Sequence, residues 1–178
     1  GSFGHPSDLI YDRQGQLHVA TRYHGQPYGV DYWHQVDGQW QLETFGQNVT
    51  FGGNNLALGL LPDDQPVVVC MTRDRGRLAV WERTPGGQWN ATRPSELQGI
   101  AAGYFDLVVS VEGLPQVLFC PQSGGPKCAT RDAAGTWNVV TISKVGVSRN
   151  ISATSDSDGQ LHVSFAAGET GAAIRDLN

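Results

Sequence analysis

Apolar residues along this chain fall in short runs, each bounded by Gly, Asp, Asn or Pro. Runs of this length between turn residues read as β-strands, and no stretch carries a useful helical period. The strands come in sets of four, A to D. The first set is 7–12, 16–23, 30–35 and 39–45. The second is 55–60, 66–72, 77–83 and 88–92, and the third is 105–111, 116–120, 126–132 and 136–142. The fourth is 151–156, 160–166 and 171–177, with no strand D. Strand B is apolar on consecutive positions, as in Val67-Val68-Val69-Cys70 and Val117-Leu118-Phe119. A sheet with one wet face would alternate, so these strands are expected to be covered on both faces.

The sets are copies of one unit. Gly15-Gln16-Leu17-His18-Val19 returns as Gly159-Gln160-Leu161-His162-Val163, and DQPVV at 64–68 and GLPQV at 113–117 fill the same slot. The steps are 49, 49 and 46 residues. Gly-x-Trp closes each complete set, at Gly38-Gln39-Trp40, Gly87-Gln88-Trp89 and Gly135-Thr136-Trp137. A fixed period of this size marks an array of one supersecondary unit. Four-stranded antiparallel sheets packed face to face around an axis cover strand B on both sides, which is a β-propeller. The expected fold is an all-β propeller of about four blades, at 7–47, 54–94, 104–143 and 151–178, in one domain over 1–178. The last blade lacks its outer strand. A β-sandwich would not impose the period.

Composition narrows the function. Of 178 residues, 16% are charged and 23 are Gly, which suits many strands and tight turns rather than disorder. The net charge is −5 with no Lys/Arg block, which argues against nucleic acid as a partner. No apolar run approaches the length of a membrane-spanning helix. The leading GSFGHP has neither a basic nor an apolar region and does not read as a signal peptide. Sequons at Asn48, Asn90 and Asn150 favour an extracellular or periplasmic setting. Cys120 and Cys128 flank a turn-rich loop and are expected to pair under oxidising conditions, leaving Cys70 free.

Asp12-Arg13-Gln14-Gly15-Gln16-Leu17-His18-Val19 with Asp37-Gly38-Gln39-Trp40, and again 156–163, carry a resemblance to bacterial secreted β-propeller repeat proteins with blades of about 50 residues. It covers nearly the whole chain, more weakly in the two middle units. It implies the propeller fold and leaves function open, since such blades serve enzymes, lectins and scaffolds. The sialidase Asp-box is absent.

Residues that recur at equivalent slots read as architecture: His18 and His162 as hydrogen-bonded blade histidines, and Trp40, Trp89 and Trp137 as wedges between blades. Residues that break the repeat are the ligand candidates. The first B–C loop and the strand after it are aromatic, with Tyr23, His24, Tyr28, Tyr32 and Trp33, which suits stacking on a sugar or a peptide. The second is basic, with Arg73, Arg75 and Arg77, which suits an anion. The D–A connections are long enough to line a binding face. One polar slot recurs at strand A, read as Asp8, Asn55, Asp106 and Ser152, where oxygens around the axis are weak candidates for Ca²⁺. Otherwise no metal and no cofactor are expected.

No G-x-S-x-G, H-E-x-x-H or C-x-x-C occurs. Tyr23, His24 and His34 form one local group able to move protons, as polysaccharide lyases on propellers do. The expectation is a non-catalytic module for a glycan or protein ligand. The alternatives are part of a carbohydrate-active enzyme and a structural propeller assembled from partial rings. The missing fourth strand D leads to the further expectation of self-association, or of membership in a larger ring.

Overall fold

The computed structural model describes residues 7–23, 29–47, 51–72, 76–144, 148–167 and 171–177. Among them there are fifteen strands and no helix. The first sheet holds β1 (Ser7–Tyr11), β2 (Leu17–Tyr23), β3 (Gly29–Val36) and β4 (Gln39–Phe45). The second holds β5 (Phe51–Leu60), β6 (Pro66–Thr72), β7 (Arg77–Arg83) and β8 (Trp89–Thr92). The third holds β9 (Ile100–Val109), β10 (Pro115–Pro121), β11 (Lys127–Arg131) and β12 (Trp137–Thr141). The fourth has three strands, β13 (Ser148–Ser155), β14 (Leu161–Ala167) and β15 (Gly171–Leu177). Every sheet is antiparallel with its strands in chain order. This is the expected register, unit by unit.

The sheets stack through their first strands: β1 packs on β5, β5 on β9 and β9 on β13. Residues from all four, including Ile10, Leu58, Leu107 and Ala153, wall one cavity of about 260 Å³. Four antiparallel sheets set side by side about a shared centre are propeller blades. Each blade has a forward face toward the next blade and a rear face toward the one before.

Consecutive apolar residues in strand B follow from this stacking. Val67 and Val69 enter the core shared with the third blade, while Val68 and Cys70 enter the core shared with the first. A third core, with Leu118, Ile151, Val163 and Phe165, joins the last two blades. Each fully buried aliphatic side chain contributes on the order of 1.5–3 kcal/mol.

The recurring A–B turn is built by its Asp and closed by its Gly. Asp12 Oδ1 accepts the amides of Gln14 and Gln16, and Asp156 Oδ1 accepts those of Asp158 and Gln160. The other carboxylate oxygen meets a histidine six residues on, His18 at 3.4 Å and His162 at 2.9 Å. The D-x-x-G-x-x-H motif is therefore a turn clamp. Gly113 and Gly159 hold φ of +78° and +80°, and a Cβ on either would strike Pro62 or Val111 of the preceding turn. Both backbone sign and space require glycine there.

Two expectations are corrected, and the D–A connections also build the sheets and the core. Their ends join the first strands early, as in Phe51 opposite Thr72 and Ile100 opposite Pro121, each followed by a register shift. Leu97 and Ile100 of the second connection are buried in the core, tied by Leu78 N to Leu97 O and Ile100 N to Gly76 O, both at 2.9 Å. The polar slot of strand A is Asp8, Ala57, Asp106 and Ser152, the partners of Ala20, Val69, Leu118 and Ser164. Asn55 sits two residues ahead of it, since the 49-residue step from Asp8 falls on Ala57. Finally, the three cysteines are buried and none is in a disulfide. Cys128 lies opposite Leu118 in the ladder, not opposite Cys120.

Candidate functional site

The seams between blades gather most of the polar chemistry. Ladder register places each Gly-x-Trp tryptophan opposite a residue at the end of strand C: Trp89 opposite Arg83 and Trp137 opposite Arg131. In the first blade Gln35 takes the arginine's place opposite Trp40. The preceding blade meets each arginine with a carboxylate. Arg83 grips Glu43 through Nε and Nη2 at 2.8–3.0 Å, and the Trp89 indole donates to Glu43 Oε2 at 2.8 Å. Arg131 Nη2 lies 2.5 Å from Glu82 Oε1, and its guanidinium stands 6.0 Å from the centre of the Trp137 ring.

Burial pushes the Glu43 carboxyl up, but the hydrogen bonds from Arg83 and Trp89 outweigh it and hold it below its ordinary value. Arg83 is raised, chiefly by the bond to Glu43. His34 Nε2 is 3.2 Å from Glu43 Oε1, yet burial keeps its pKa below the ordinary one. Tyr32 stacks on His34 and meets Trp89 edge-on, with centroids 5.1 and 5.2 Å apart. Trp89 also stacks on Phe45 at 3.8 Å. The wedge reading therefore holds for Trp89, which packs into the first seam, and for Trp137, which is buried in the second. Trp40 is 48% exposed.

Beside the second seam lies a cleft of about 490 Å³. Arg93, Ser95 and Glu96 line one side, and Arg131, Thr136 and Trp137 the other. Ser95 Oγ donates to Glu96 Oε2 at 3.2 Å. Cations, a carboxylate and hydroxyls around one hollow can exchange hydrogen bonds with a polyol from several directions. The Trp137 ring, 8% exposed, forms part of the floor rather than an open stacking platform.

The residues expected to bind a ligand are distributed differently. Tyr23 ends β2, its backbone opposite Gly29. His24, Tyr28, Arg73 and Arg75 lie outside the described residues. Tyr32 is 1% exposed, and its hydroxyl is 2.5 Å from His18 Nδ1, so it belongs to the first seam and not to a surface. The Asp12 carboxylate can only accept from His18 Nε2, and with the proton on that nitrogen His18 Nδ1 can accept the Tyr32 hydroxyl. Arg77 is exposed at the start of β7, its carbonyl accepting the Thr72 hydroxyl at 3.1 Å.

Asp8 and Asp106 are occupied by backbone. Asp8 accepts the amides of Leu9 and, in the next blade, Leu58. Asp106 accepts those of Leu107 and, in the next blade, Ala153. All four bonds are 2.8 Å. Burial raises the Asp106 pKa despite these bonds, and the charge of Asp8 adds to the effect. Among the described residues no group of three or more His, Cys, Asp or Glu is placed to hold a metal ion.

The sequence reading passed over Glu43, Arg83, Glu82 and Arg131. A signal existed: an arginine six residues before Trp89 and again before Trp137. Its carboxylate partners carry no such mark, because they come from different strands, β4 and β7.

No protein-family model and no curated protein matches this sequence. Solved structures do match. An unknown-function protein from Dyadobacter fermentans aligns with a TM-score of 0.67 at 13% identity, over 94% of this chain and 51% of its own. A GH43 glycoside hydrolase engineered to display endo-xylanase and exo-arabinofuranosidase activity aligns at 0.59 and 14%, over 97% of this chain and 37% of its own. A bifunctional GH43-CE protein from Bacteroides eggerthii aligns at 0.56 and 13%, over 99% and 25%. At these identities the likeness shows the β-propeller fold. The chain spans between a quarter and about half of those proteins.

Proposed function

We propose that this chain is a non-catalytic, carbohydrate-recognising propeller module that works outside the cytoplasm. The observation that carries the reading is the cleft beside the second seam. There Arg93, Arg131, Glu96, Ser95 and Thr136 face one hollow large enough for a short saccharide. Arg131 is held in place by Glu82 and Trp137, so one wall is pre-organised, which lowers the cost of binding. The GH43 likeness and the exposed sequon asparagines Asn90 and Asn150 agree with a glycan-facing, extracellular role.

A glycan array probed with the 178-residue chain tests this. Arg93→Ala and Glu96→Ala should each weaken any hit by about tenfold or more without moving the unfolding midpoint. No hit, or hits indifferent to both substitutions, would refute the cleft as the site.

The GH43 likeness also favours a second reading, part of a carbohydrate-active enzyme. Against it, the two carboxylates on the innermost strands, Asp8 and Asp106, are each engaged by two backbone amides. New reducing ends, or ultraviolet absorbance from an unsaturated product, on incubation with polysaccharides would establish the enzyme reading.

A further inference from the structure

Two faces of the blade stack are uncovered, and they are not alike. The rear face of the first blade is apolar. Leu9, Val19, Trp33 and Leu42 form one row across its four strands, with Tyr11 and Trp40 beside it. Leu9 is 61% exposed, Tyr11 64%, Trp40 48% and Trp33 36%. On the forward face of the last blade the described side chains are polar: Ser152, Thr154 and Ser164 are exposed, and His162 pairs with Asp156.

The rear face repeats one half of the seam already formed between the first two blades, and the forward face repeats that seam's Asp–His clamp. On the rear side, the ladder places Leu9, Val19, Trp33 and Trp40 where the second blade has Leu58, Val68, Trp81 and Trp89. The residues are the same at all four positions. In the second blade Leu58, Val68 and Trp81 are buried against the first. On the forward side, the Asp156–His162 pair of the last blade matches Asp12–His18 of the first. Asp12 and His18 are 8% and 7% exposed at the side chain, whereas Asp156 and His162 are 37% and 36% exposed.

We propose that the rear face of the first blade docks on the forward face of the last blade of a second copy of this chain. The occupant follows from continuity with the existing seam: a forward face bearing an Asp–His clamp already receives a rear face bearing Leu, Val and Trp. Two such contacts, related by a two-fold axis, close a ring of eight blades, within the range of about 4–8 that propellers use. Leu9, Val19 and Trp33, on the three inner strands, meet the three-stranded sheet of the partner. Trp40 and Leu42 lie at the margin of the contact, since they belong to the outermost strand, β4.

Sedimentation equilibrium of the 178-residue chain tests the contact. The expected result is a mass rising with concentration to twice the chain mass of 19.2 kDa. A rear-face variant, Leu9→Arg with Trp33→Arg, and a forward-face variant, Ser164→Trp, should each remain monomeric. An equimolar mixture of the two should recover the doubled mass, because each supplies the intact face that the other lacks. All three positions are at least a third exposed, and far-ultraviolet circular dichroism checks that the variants fold. Should the arginine pair not fold, Leu9→Ser with Trp33→Ser takes its place. Acrylamide quenching of the wild-type tryptophans should also fall as concentration rises. A wild-type mass fixed at one chain, or one of three or more chains, would overturn the proposal. So would dimerisation of the Ser164→Trp variant alone, which would mean that rear faces pair with each other.

Discussion

Glu43 of the first blade and Arg83 of the second are locked face to face, with both carboxylate oxygens bound by one guanidinium at 2.8–3.0 Å. The pair is about one-fifth exposed on each side, and the Trp89 indole is tied to the same carboxylate. Truncating either partner leaves a half-buried charge without its counter-ion. Glu43→Ala should cost about 1–3 kcal/mol, read from a urea denaturation midpoint. Replacing both residues by Met should cost less than the two single changes together. Equal and additive losses would show that the bridge contributes nothing as a pair.

The three tryptophans of one motif should differ in their worth. Trp137 is 8% exposed in the core between the second and third blades, and Trp137→Ala should destabilise by about 3–5 kcal/mol. Trp40 is 48% exposed, and Trp40→Ala measured on dilute monomer should cost under about 1 kcal/mol. Similar losses at both positions would contradict the assignment of Trp40 to an uncovered face.

Acid should weaken the fold in two steps. His34 has its pKa lowered by burial, so the unfolded chain takes up this proton first. Its contribution is present above the ordinary histidine value of 6.5 and is lost as pH falls from there through the lower folded value. Glu43 and Asp12 are depressed by their hydrogen bonds, which outweigh burial. Their contributions are present above the ordinary carboxylate range and are lost as pH falls through their folded values. Asp106, raised by burial, works the other way and is relieved by acid. Stability measured against pH should therefore have a shallower upper step in His34→Gln and a shallower lower step in Glu43→Gln. Unchanged slopes would refute the coupling.

Adjacent glycines in the third B–C loop should respond unequally. A Cβ on Gly125 would fall 1.7 Å from the Ser143 carbonyl oxygen, so Gly125→Ala should cost about 2–4 kcal/mol as two backbone segments separate. Gly124 has φ of +89° and open space around it, so Gly124→Ala should cost about 1–2 kcal/mol from backbone strain alone. Thermal unfolding of both variants decides, and a reversed order would contradict the packing.

Native cysteines should be slow toward thiol reagents. Burial pushes the Cys70 thiol up to about 12 and also raises Cys128, leaving little thiolate at neutral pH. Unfolding without reductant should release three titratable thiols. One thiol would instead show a disulfide, and a peptide map would assign it to Cys120–Cys128 or to another pair.

The repeat was legible because strands, turns and blade order are written in local spacing. The returning Gly-Gln-Leu-His-Val stretch, the Gly-x-Trp closures and the continuous apolar strand B placed nearly every strand and demanded cover on both faces. Each of these signals acts over a few residues or over one period, so the chain alone carries it. What belongs to seams was not legible. Tyr32 read as a surface aromatic because its strand is aromatic, yet the next blade covers it and His18 takes its hydroxyl. Asn55 read as a member of the polar slot because it is the polar residue nearest the start of that apolar run; the 49-residue step from Asp8 and the pairing with β6 both give the slot to Ala57. Glu43 and Arg83 stand 40 residues apart, and only the stacking of one sheet on another brings them together. Tertiary structure also gave identical Leu, Val and Trp residues two fates, buried in the second blade and open in the first. Burial depends on what stands opposite, and a residue's own identity does not specify its neighbour across a seam.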